Sequence, residues 1–517
     1  MNKENIKSIV GKIKEYRCLF LSGLIFGGII YFLLISNSLV NSNDGLWEYN
    51  YYKAGKWSLS LGRWFWLYLD RLRFGISTEP LTSLISLACF SAGFVYIADL
   101  FELGKSKVSY LASMFFLSSN VVCISLSYRF MSPTFGLAFL LSALAVWVVC
   151  KWKNKIWGIL FGGAFMALSM GLYQAYIGCT CLLFVGYVLF VLRDNNIILK
   201  DILKLIGRTL LSAVVGGGLY IGILNLHLRV FHVSMSDYNG ASSYSVGNMI
   251  RNIVGSVKGA YSTFSRFFFE NYFKVNVLQD FYLFYVAFAL IGVLLLIGII
   301  KVWKISKIRA GIYLIFILLI PVASNAVLLI ATQAWTGLLM TAPMALCFPV
   351  FLCLEEKSVG EKRSKLQWVN IVLMCLMLYG NVYQVQIDQQ AMLEGQIATT
   401  TMAEDILHDL NDAGYLDGES EYCFLGVPAA NEMFATSVIY EKANTDARFG
   451  AWYRDTNCNI RSWQGVFTYL CGSDIKICDA YGYQTAITDA ETSNMPVYPQ
   501  EGYIRKIDNI VIVKVSE

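Results

Sequence analysis

Residues 156–192, IWGILFGGAFMALSMGLYQAYIGCTCLLFVGYVLFVL, contain no charged side chain. The hydrocarbon core of a bilayer is crossed by about 20 apolar residues in a helix, because no water is present there to satisfy the backbone. One helix over residues 156–192 would be roughly 55 Å long, nearly twice the thickness of that core. The sequence therefore predicts two membrane-spanning helices, joined by a turn at Gly171-Leu172-Tyr173-Gln174.

Similar apolar stretches recur up to residue 386. Of the 517 residues, 56% are hydrophobic and only 15% are charged, against roughly a quarter charged in soluble domains. The same length argument divides residues 310–354 at Gln333-Ala334-Trp335-Thr336. We predict an all-α polytopic membrane protein with about eleven transmembrane helices, near residues 18–40, 80–98, 108–127, 131–150, 156–172, 174–192, 209–229, 281–300, 310–330, 335–354 and 366–386.

Basic residues fall in alternate connections between these spans, and such loops favour the cytoplasmic side of a membrane. The clusters are Lys3, Lys7, Lys12, Lys14 and Arg17; Lys105 and Lys107; Lys151, Lys153 and Lys155; Arg193, Lys200 and Lys204; Lys301, Lys304, Lys307 and Arg309; and Lys357, Lys362, Arg363 and Lys365. The N-terminus is therefore predicted to be cytoplasmic, with segment 18–40 a retained anchor. Loops 41–79 and 230–280 and the domain formed by residues 387–517 are predicted to be extracytoplasmic.

Charge and histidine content argue against several classes of function. The net charge of +5 arises from separate clusters rather than one basic domain, so nucleic-acid binding is not predicted. A histidine-rich zinc site is not expected, because His227, His232 and His408 lie far apart in sequence. No cofactor is predicted with certainty; a divalent cation stays open and would need oxygen ligands.

The two outer loops carry the residues that we consider for chemistry. The first begins Asn41-Ser42-Asn43-Asp44-Gly45-Leu46-Trp47-Glu48-Tyr49, directly after a span, so that its carboxylates lie at the membrane surface. Apolar residues at helical spacing predict an amphipathic interfacial helix in each loop, through Leu61, Trp64, Phe65, Tyr68, Leu69 and Leu72 in the first and Val246, Met249, Ile250, Ile253, Val254 and Val257 in the second. Together the loops can wall a cavity whose acid and arginines suit an anionic lipid headgroup.

Several short motifs carry a resemblance to a known family: Asn43-Asp44-Gly45, Gly62-Arg63-Trp64, Tyr128-Arg129, Gly171-Leu172-Tyr173-Gln174, and the stretch from Met495-Pro496-Val497-Tyr498-Pro499 to Ile510-Val511-Ile512-Val513. Over most of residues 15–515 the chain resembles the bacterial type II glucosyltransferases, which include O-antigen-modifying enzymes. Many members carry two adjacent aspartates in the first loop followed by Gly-Arg-Pro, where this chain has Asp44-Gly45 and Gly62-Arg63-Trp64.

The resemblance implies a GT-C-type membrane fold in residues 1–386. It also implies transfer of a sugar, often glucose, from a polyprenyl-phosphate donor to a cell-surface glycan, on the extracytoplasmic face of the bacterial plasma membrane. No nucleotide site is then needed, and the chain has no Gly-x-x-x-x-Gly-Lys-Ser/Thr loop. The bilayer, the lipid-linked donor and the glycan acceptor are the expected partners.

Position and resemblance together give the candidate residues their expected roles. Asp44 is expected to take the proton from the acceptor hydroxyl, with Glu48 as a substitute, although Asp44 could also be a solvated turn residue. Arg63 and Arg129 are expected to bind the donor phosphate, against the alternative that Arg63 snorkels from an interfacial helix. The remaining candidates are expected to contact the substrate, and their alternative is an ordinary role at the membrane interface or on a solvated face. They are Tyr128, Tyr173, Gln174, Gln333, Trp335, Arg266 and Glu270.

Residues 387–517 read as a small α/β or α+β domain. Residues 391–413 predict a helix stopped by Gly414, and residues 422–427, 466–470 and 509–515 predict strands. The aromatic side chains of Trp452, Tyr453 and Trp463 could stack on the acceptor glycan, although packing is the simpler role. Disulfides are open among Cys423, Cys458, Cys471 and Cys478, with connectivity unassigned.

Two other functions fit a membrane protein with these loops. A transporter or flippase of lipid-linked glycans is the main alternative, but such proteins usually place ionisable residues within their spans, and this chain has almost none there. A polysaccharide polymerase or ligase would also carry arginines in its outer loops and would transfer whole chains.

Overall fold

The computed structural model describes residues 3–41, 46, 49–104, 106–152, 154–243, 246–270, 282–331, 334–356, 363–434, 437–452 and 456–517. Helices dominate these residues. In chain order they are α1 (Lys3–Glu15), α2 (Arg17–Ile30), α3 (Phe32–Ser36), α4 (Lys56–Ser60), α5 (Trp66–Leu72), α6 (Leu81–Leu100), α7 (Lys107–Leu117), α8 (Asn120–Ser127), α9 (Ser132–Lys151), α10 (Lys155–Leu172), α11 (Ile177–Leu192), α12 (Leu199–Phe231), α13 (Val246–Arg251), α14 (Ile253–Phe269), α15 (Leu283–Ile305), α16 (Lys307–Leu318), α17 (Ile320–Ser324), α18 (Val327–Ile330), α19 (Ala342–Ala345), α20 (Cys347–Glu355), α21 (Lys365–Asp412), α22 (Val438–Lys442), α23 (Thr456–Gly465), α24 (Ala480–Thr488) and α25 (Ala490–Ser493).

Within the described residues, seven helices are long and apolar enough to cross a membrane. They are α6, α9, α10, the segment Gln174–Leu192 that contains α11, and α12, α15 and α21. The pair α7 and α8, bent by 53°, would make an eighth span. A helical membrane protein is thus supported, whereas the total of about eleven spans is not confirmed and stays a prediction.

The remaining predicted spans are divided into shorter helices. The first consists of α2 and α3, which meet at Tyr31. Residues 310–330 contain α16, α17 and α18, and residues 335–354 contain α19 and α20. Pro321 lies in the first turn of α17 and Pro343 in the first turn of α19, where proline fits because its missing N–H would have no helical partner.

The predicted turn in residues 156–192 is confirmed. Helix α10 ends at Leu172, Tyr173 has an extended backbone, and a 3-10 helix begins at Gln174. A side chain at Gly171 would begin 2.7 Å from a ring carbon of Trp64, so glycine allows the first outer loop to pack directly against this turn.

The single interfacial helix predicted over residues 61–72 is wrong. The structure has α4 and α5 on either side of residues 61–65, because Gly62 adopts a left-handed backbone with φ +82° that does not continue a right-handed helix. The N–H of Phe65 donates instead to the carbonyl of Gly171 at 2.9 Å. In the second loop the predicted stripe does lie on helices, α13 and α14, and Ile250 and Val254 are exposed.

A network of ion pairs joins the connections at one end of the helical bundle, which we call the basic end. Lys12 pairs with Asp99 at 2.8 Å, Lys151 with Glu102 at 2.7 Å, and Arg193 with Glu355 at 2.7 Å. Ser106 donates a hydrogen bond to Glu356 at 2.7 Å. These contacts bring several of the predicted basic connections together on one side.

The helices predicted over residues 366–386 and 391–413 are one continuous helix, α21, which therefore runs across the expected boundary at residue 386. It ends at Asp412, shortly before Gly414 with φ +69°, as predicted.

A three-stranded sheet lies beyond α21, in the order β1 (Glu421–Leu425), β3 (Ile510–Lys514), β2 (Ile504–Ile507). Strand β3 is parallel to β1 and antiparallel to β2. The strands predicted over 422–427 and 509–515 are confirmed as β1 and β3. The strand predicted over 466–470 is wrong, because Val466–Leu470 forms a π-helix that continues α23; Phe467 packs there against Phe424 and Trp463.

Candidate active site

In the first outer loop, contacts hold the residues on either side of the acidic segment, residues 42–48. The backbone and side-chain amides of Asn41 both donate to the carbonyl of Ser127, at 3.4 and 3.3 Å. At the other end, the guanidinium of Arg129 lies 4.5 Å above the ring of Tyr49. The candidates Asp44 and Glu48 belong to the segment between these anchors and lie outside the described residues. The loop containing them therefore begins and ends beside the turn that carries Arg129.

Arg129 is almost fully buried, with 3% of its surface exposed. Its guanidinium donates to the carbonyls of Ser38 and Ser77, both at 3.4 Å, and to the side-chain oxygen of Asn50 at 3.3 Å. Its Nε atom lies 3.9 Å from Oε1 of Glu79. Among the described residues, neither of these two buried atoms has a hydrogen-bond partner. The side chain thus connects the end of the first span with the rest of the first loop.

Glu79 was not identified from the sequence. Burial raises the pKa of its carboxyl above the usual range, opposed by a hydrogen bond from Ser83 and by the charge of Arg129. The only signal in the sequence is an acidic residue directly before an apolar span, which does not indicate that it meets an arginine far along the chain.

A small cleft of about 50 Å³ opens between the first loop, the 171–174 turn and the second loop. It brings together three of the predicted site residues, Arg63, Tyr173 and Gln174. The side chains that complete its wall come from distant parts of the chain: Leu61, Ala175, Tyr238, Asn239, Val327, Ala331, Ala334 and Met340. We call this side of the bundle the cleft end.

Arg63 is the cation of this cleft. Its guanidinium lies 4.8 Å from the centre of the Tyr173 ring, and its Nη1 atom is 3.7 Å from the sulfur of Met131. Its Nε atom is buried and has no hydrogen-bond partner within the described part of the chain. A guanidinium that lies over an aromatic ring leaves the N–H donors on its edges free to bond to two oxygens of a phosphate.

Gln174 and Tyr220 fix the backbone next to Arg63. The amide nitrogen of Gln174 donates to the carbonyl of Leu61 at 2.5 Å and to the hydroxyl of Tyr220 at 3.1 Å. That hydroxyl donates to the carbonyl of Gly62 at 3.2 Å. Since Leu61, Gln174 and Tyr220 are buried, these bonds hold the turn that presents Arg63.

The second outer loop is attached at the opposite side of the cleft through Asn239. Its side-chain oxygen accepts from the N–H of Trp335 at 2.7 Å, and its nitrogen donates to the Trp335 carbonyl at 3.2 Å. The side chain of Trp335 is 53% exposed, so a large aromatic surface stands beside the cleft. Gln333 lies outside the described residues.

The other predicted contact residues are not part of the cleft wall that the structure describes. Tyr128 is buried against Phe130, with ring centres 6.2 Å apart. Arg266 and Glu270 are exposed near the end of α14, with their charged atoms 4.0 Å apart. Asp70, another acid of the first loop, is buried, and Nε of Arg73 donates to its carboxylate at 2.8 Å.

The C-terminal domain contacts the first outer loop. The rings of Tyr49 and Tyr469 stack with centres 5.7 Å apart, and Leu46 packs against Gly465 so closely that a Cβ there would lie 2.8 Å from its side chain. Trp452 and Trp463 are buried packing residues rather than exposed platforms, and Tyr453 lies outside the described residues.

No group of three or more His, Cys, Asp or Glu side chains that could hold a metal ion occurs in the part of the chain that was described. That part excludes Asp44 and Glu48.

Comparison with known proteins gives one match. The family described as glucosyl transferase GtrII matches residues 39–354, well over half of the chain. Neither the curated proteins nor the solved structures contain a match. The matched region includes the first outer loop, the cleft and the turn that carries Arg129. It supports an enzyme that transfers glucosyl groups from a sugar donor to a glycan, and it favours this over the transporter alternative. The chain belongs to the GtrII glucosyl transferase family.

Proposed function

We propose that the protein transfers glucose from a polyprenyl-phosphate donor to a cell-surface glycan, on the extracytoplasmic face of a bacterial plasma membrane. The membrane domain would be GT-C-like. The observation that carries the proposal is the cleft, where Arg63 stacks on Tyr173 with a buried Nε atom that no described residue satisfies.

In this proposal Arg63 binds the donor phosphate. A polyprenyl phosphate holds its phosphate at the membrane surface while its chain stays in the lipid, so the binding cation must lie near the end of the spans. Arg63 follows α4 and contacts the turn after α10, which meets this requirement. Tyr238 and Asn239 line the same cleft and would contact the sugar, with Trp335 stacking from beside it.

Arg129 is better suited to positioning than to direct phosphate binding. Its guanidinium is 3% exposed and donates to Ser38, Asn50 and Ser77. We assign it the role of fixing both ends of the segment that carries Asp44, together with its partner Glu79. This refines the expectation that both arginines contact the donor.

The proposed chemistry needs one base. As the oxygen of the acceptor hydroxyl bonds to C1 of glucose, the bond from C1 to the phosphate oxygen breaks and polyprenyl phosphate leaves. Asp44 would accept the hydroxyl proton, which contributes about 10²- to 10⁴-fold in rate, with Glu48 next in line. A divalent cation could assist the departing phosphate through oxygen ligands.

The proposed orientation follows from the difference between the two ends. Lysines and arginines of short loops stay on the cytoplasmic side, and Lys12, Lys151 and Arg193 meet at the basic end. The N-terminus would then be cytoplasmic, and the cleft and C-terminal domain would face outward.

The function can be tested with purified protein, radiolabelled polyprenyl-phosphate glucose and surface glycan isolated from a strain that lacks the gene. We expect labelled glycan and free polyprenyl phosphate in equal amounts. Glycan from the parent strain, whose acceptor positions are already occupied, should take up less label. Absence of transfer in both cases would refute the proposal, and transfer of preassembled chains alone would indicate the ligase alternative.

A further inference from the structure

Cys423 and Cys478 lie opposite one another in the C-terminal domain. The N–H of Tyr422 donates to the carbonyl of Lys476, and the N–H of Cys478 donates to the carbonyl of Tyr422, both at 2.9 Å. These two bonds pair Tyr422 with Ile477 as in a parallel sheet. One residue further along both segments, Cys423 therefore faces Cys478.

This pairing places the two Cα atoms at a distance that a disulfide can bridge. Neighbouring strands are about 4.7–4.9 Å apart, and disulfides join Cα atoms that are about 4.4–6.8 Å apart. In a parallel pair, side chains of facing residues point to the same side of the sheet.

Both side chains are buried in the same small apolar cluster. Cys423 is 0% and Cys478 1% exposed, and they pack with Leu425, Met495 and Ile512. Cys471 packs instead against the main core of the protein. The cluster thus separates one pair from the other cysteines of the domain.

We propose that Cys423 and Cys478 form a disulfide bond in the native protein. In this reaction each thiol loses a proton, one S–S bond forms, and two electrons reduce the disulfide of an extracytoplasmic thiol oxidase or oxidoreductase to two thiols. Because both sulfurs are buried, the bond forms while the domain folds, before its apolar cluster closes. The proposal rests on the proposed function in one respect, the extracytoplasmic location of the domain, where disulfides persist.

The bond would close a loop that contains α22, α23 and the π-helix. This loop includes Gly465 and Tyr469, which contact the first outer loop. A cross-link restricts the unfolded chain and so would favour the folded surface against which Leu46 and Tyr49 pack.

The test is a differential thiol-labelling experiment on the full-length protein in native membranes. Free thiols are alkylated with light maleimide under denaturing conditions, disulfides are reduced, and the released thiols take heavy maleimide before mass spectrometry. We expect heavy label on Cys423 and Cys478 and light label on Cys123 and Cys347, which lie in the membrane domain. Light label on both Cys423 and Cys478 overturns the proposal.

Two further experiments test whether the positions of the two cysteines are sufficient for the bond, independently of the side of the membrane on which the domain lies. Cys423→Ser should shift Cys478 to light label, whereas Cys471→Ser should leave the pair unchanged. If the mutant does not fold, wild-type protein still decides: reduced protein warmed in detergent to just below its unfolding temperature, where the apolar cluster opens transiently, should form the bond with oxidised glutathione and then unfold at a higher temperature. Failure to form it there overturns the geometric argument. Glucosyl transfer by the same preparation reports on the proposed function independently.

Discussion

Three cations at the basic end and Arg63 at the cleft end have different kinds of partner. At the basic end, Lys12, Lys151 and Arg193 each have a carboxylate within 2.8 Å. At the cleft end, Arg63 contacts an aromatic ring and a sulfur atom, and its buried Nε has no partner within the described residues. The cations at the basic end, paired with carboxylates of other segments, hold the helices together. An arginine with an unsatisfied donor beside a cleft retains the capacity to bind an anion that enters it.

The largest expected effect is that of Asp44→Asn, which should lower the transfer rate about 10²- to 10⁴-fold because the amide cannot accept the acceptor's proton. Asp99→Asn at the basic end is the matched control, since Asp99 pairs with Lys12 at 2.8 Å and accepts a hydrogen bond from Trp147 at 2.7 Å, both at the opposite end from the cleft. Rates are compared in membranes with equal amounts of folded protein. Near wild-type activity of Asp44→Asn would move the role of the base to Glu48.

A substitution at the basic end should lower the stability of the protein rather than its transfer rate. Arg193→Met leaves the partly buried Glu355 without its partner at 2.7 Å and removes a hydrogen bond to Tyr313, so the free energy of unfolding should fall by about 2–3 kcal/mol. Thermal unfolding in detergent measures this. Adding Glu355→Gln should recover part of the loss. A large drop in transfer rate per folded molecule would show that the two ends are not functionally separate.

Replacing Arg63 by Lys keeps the charge but removes the planar fork of donors. We expect donor affinity to fall about 10- to 100-fold, since hydrogen bonds to charged groups contribute about 1.5–3 kcal/mol. Lys151→Arg, a change of the same size at the basic end, should leave donor affinity unaltered. Equal donor affinities for wild type and Arg63→Lys would contradict the assignment of the phosphate site.

The smallest effect concerns the turn that presents Arg63. Gly62→Ala should destabilise the protein by about 1–2 kcal/mol, because its left-handed φ of +82° is strained for any residue with a Cβ. Gly11→Ala in α1 is the control, since a Cβ there meets no atom within 4 Å. Similar unfolding temperatures for both variants would show that residues 61–65 tolerate another backbone.

Features governed by hydropathy and local turn residues could be predicted from the sequence. The absence of charge in residues 156–192 predicted two helices and the turn at Tyr173, which the structure confirms. The β-branched residues near the C-terminus predicted strand β3. The helix over residues 61–72 failed because apolar spacing carries no information on the backbone of Gly62. The strand over 466–470 failed because aromatic packing with Phe424 and Trp463 outweighed a short β-favouring run.

Residues of the site could be predicted only where they belong to a short local motif or where the family resemblance pointed to them. Arg63, Tyr173 and Gln174 were each identified, but not the stacking of Arg63 on Tyr173, which depends on the close contact at Gly171. Asn239 and Glu79 were missed, because their partners Trp335 and Arg129 lie far away in sequence and no local pattern links them.

The central claim, that the cleft end is the reaction side, can be measured in proteoliposomes of known orientation. The donor is placed in the outer leaflet, the glycan acceptor in the external buffer, and liposomes are sorted by whether a tag on the C-terminal domain is accessible. We predict transfer only by molecules whose C-terminal domain faces outward. Equal transfer by inward-facing molecules, or transfer by these alone, would contradict the account.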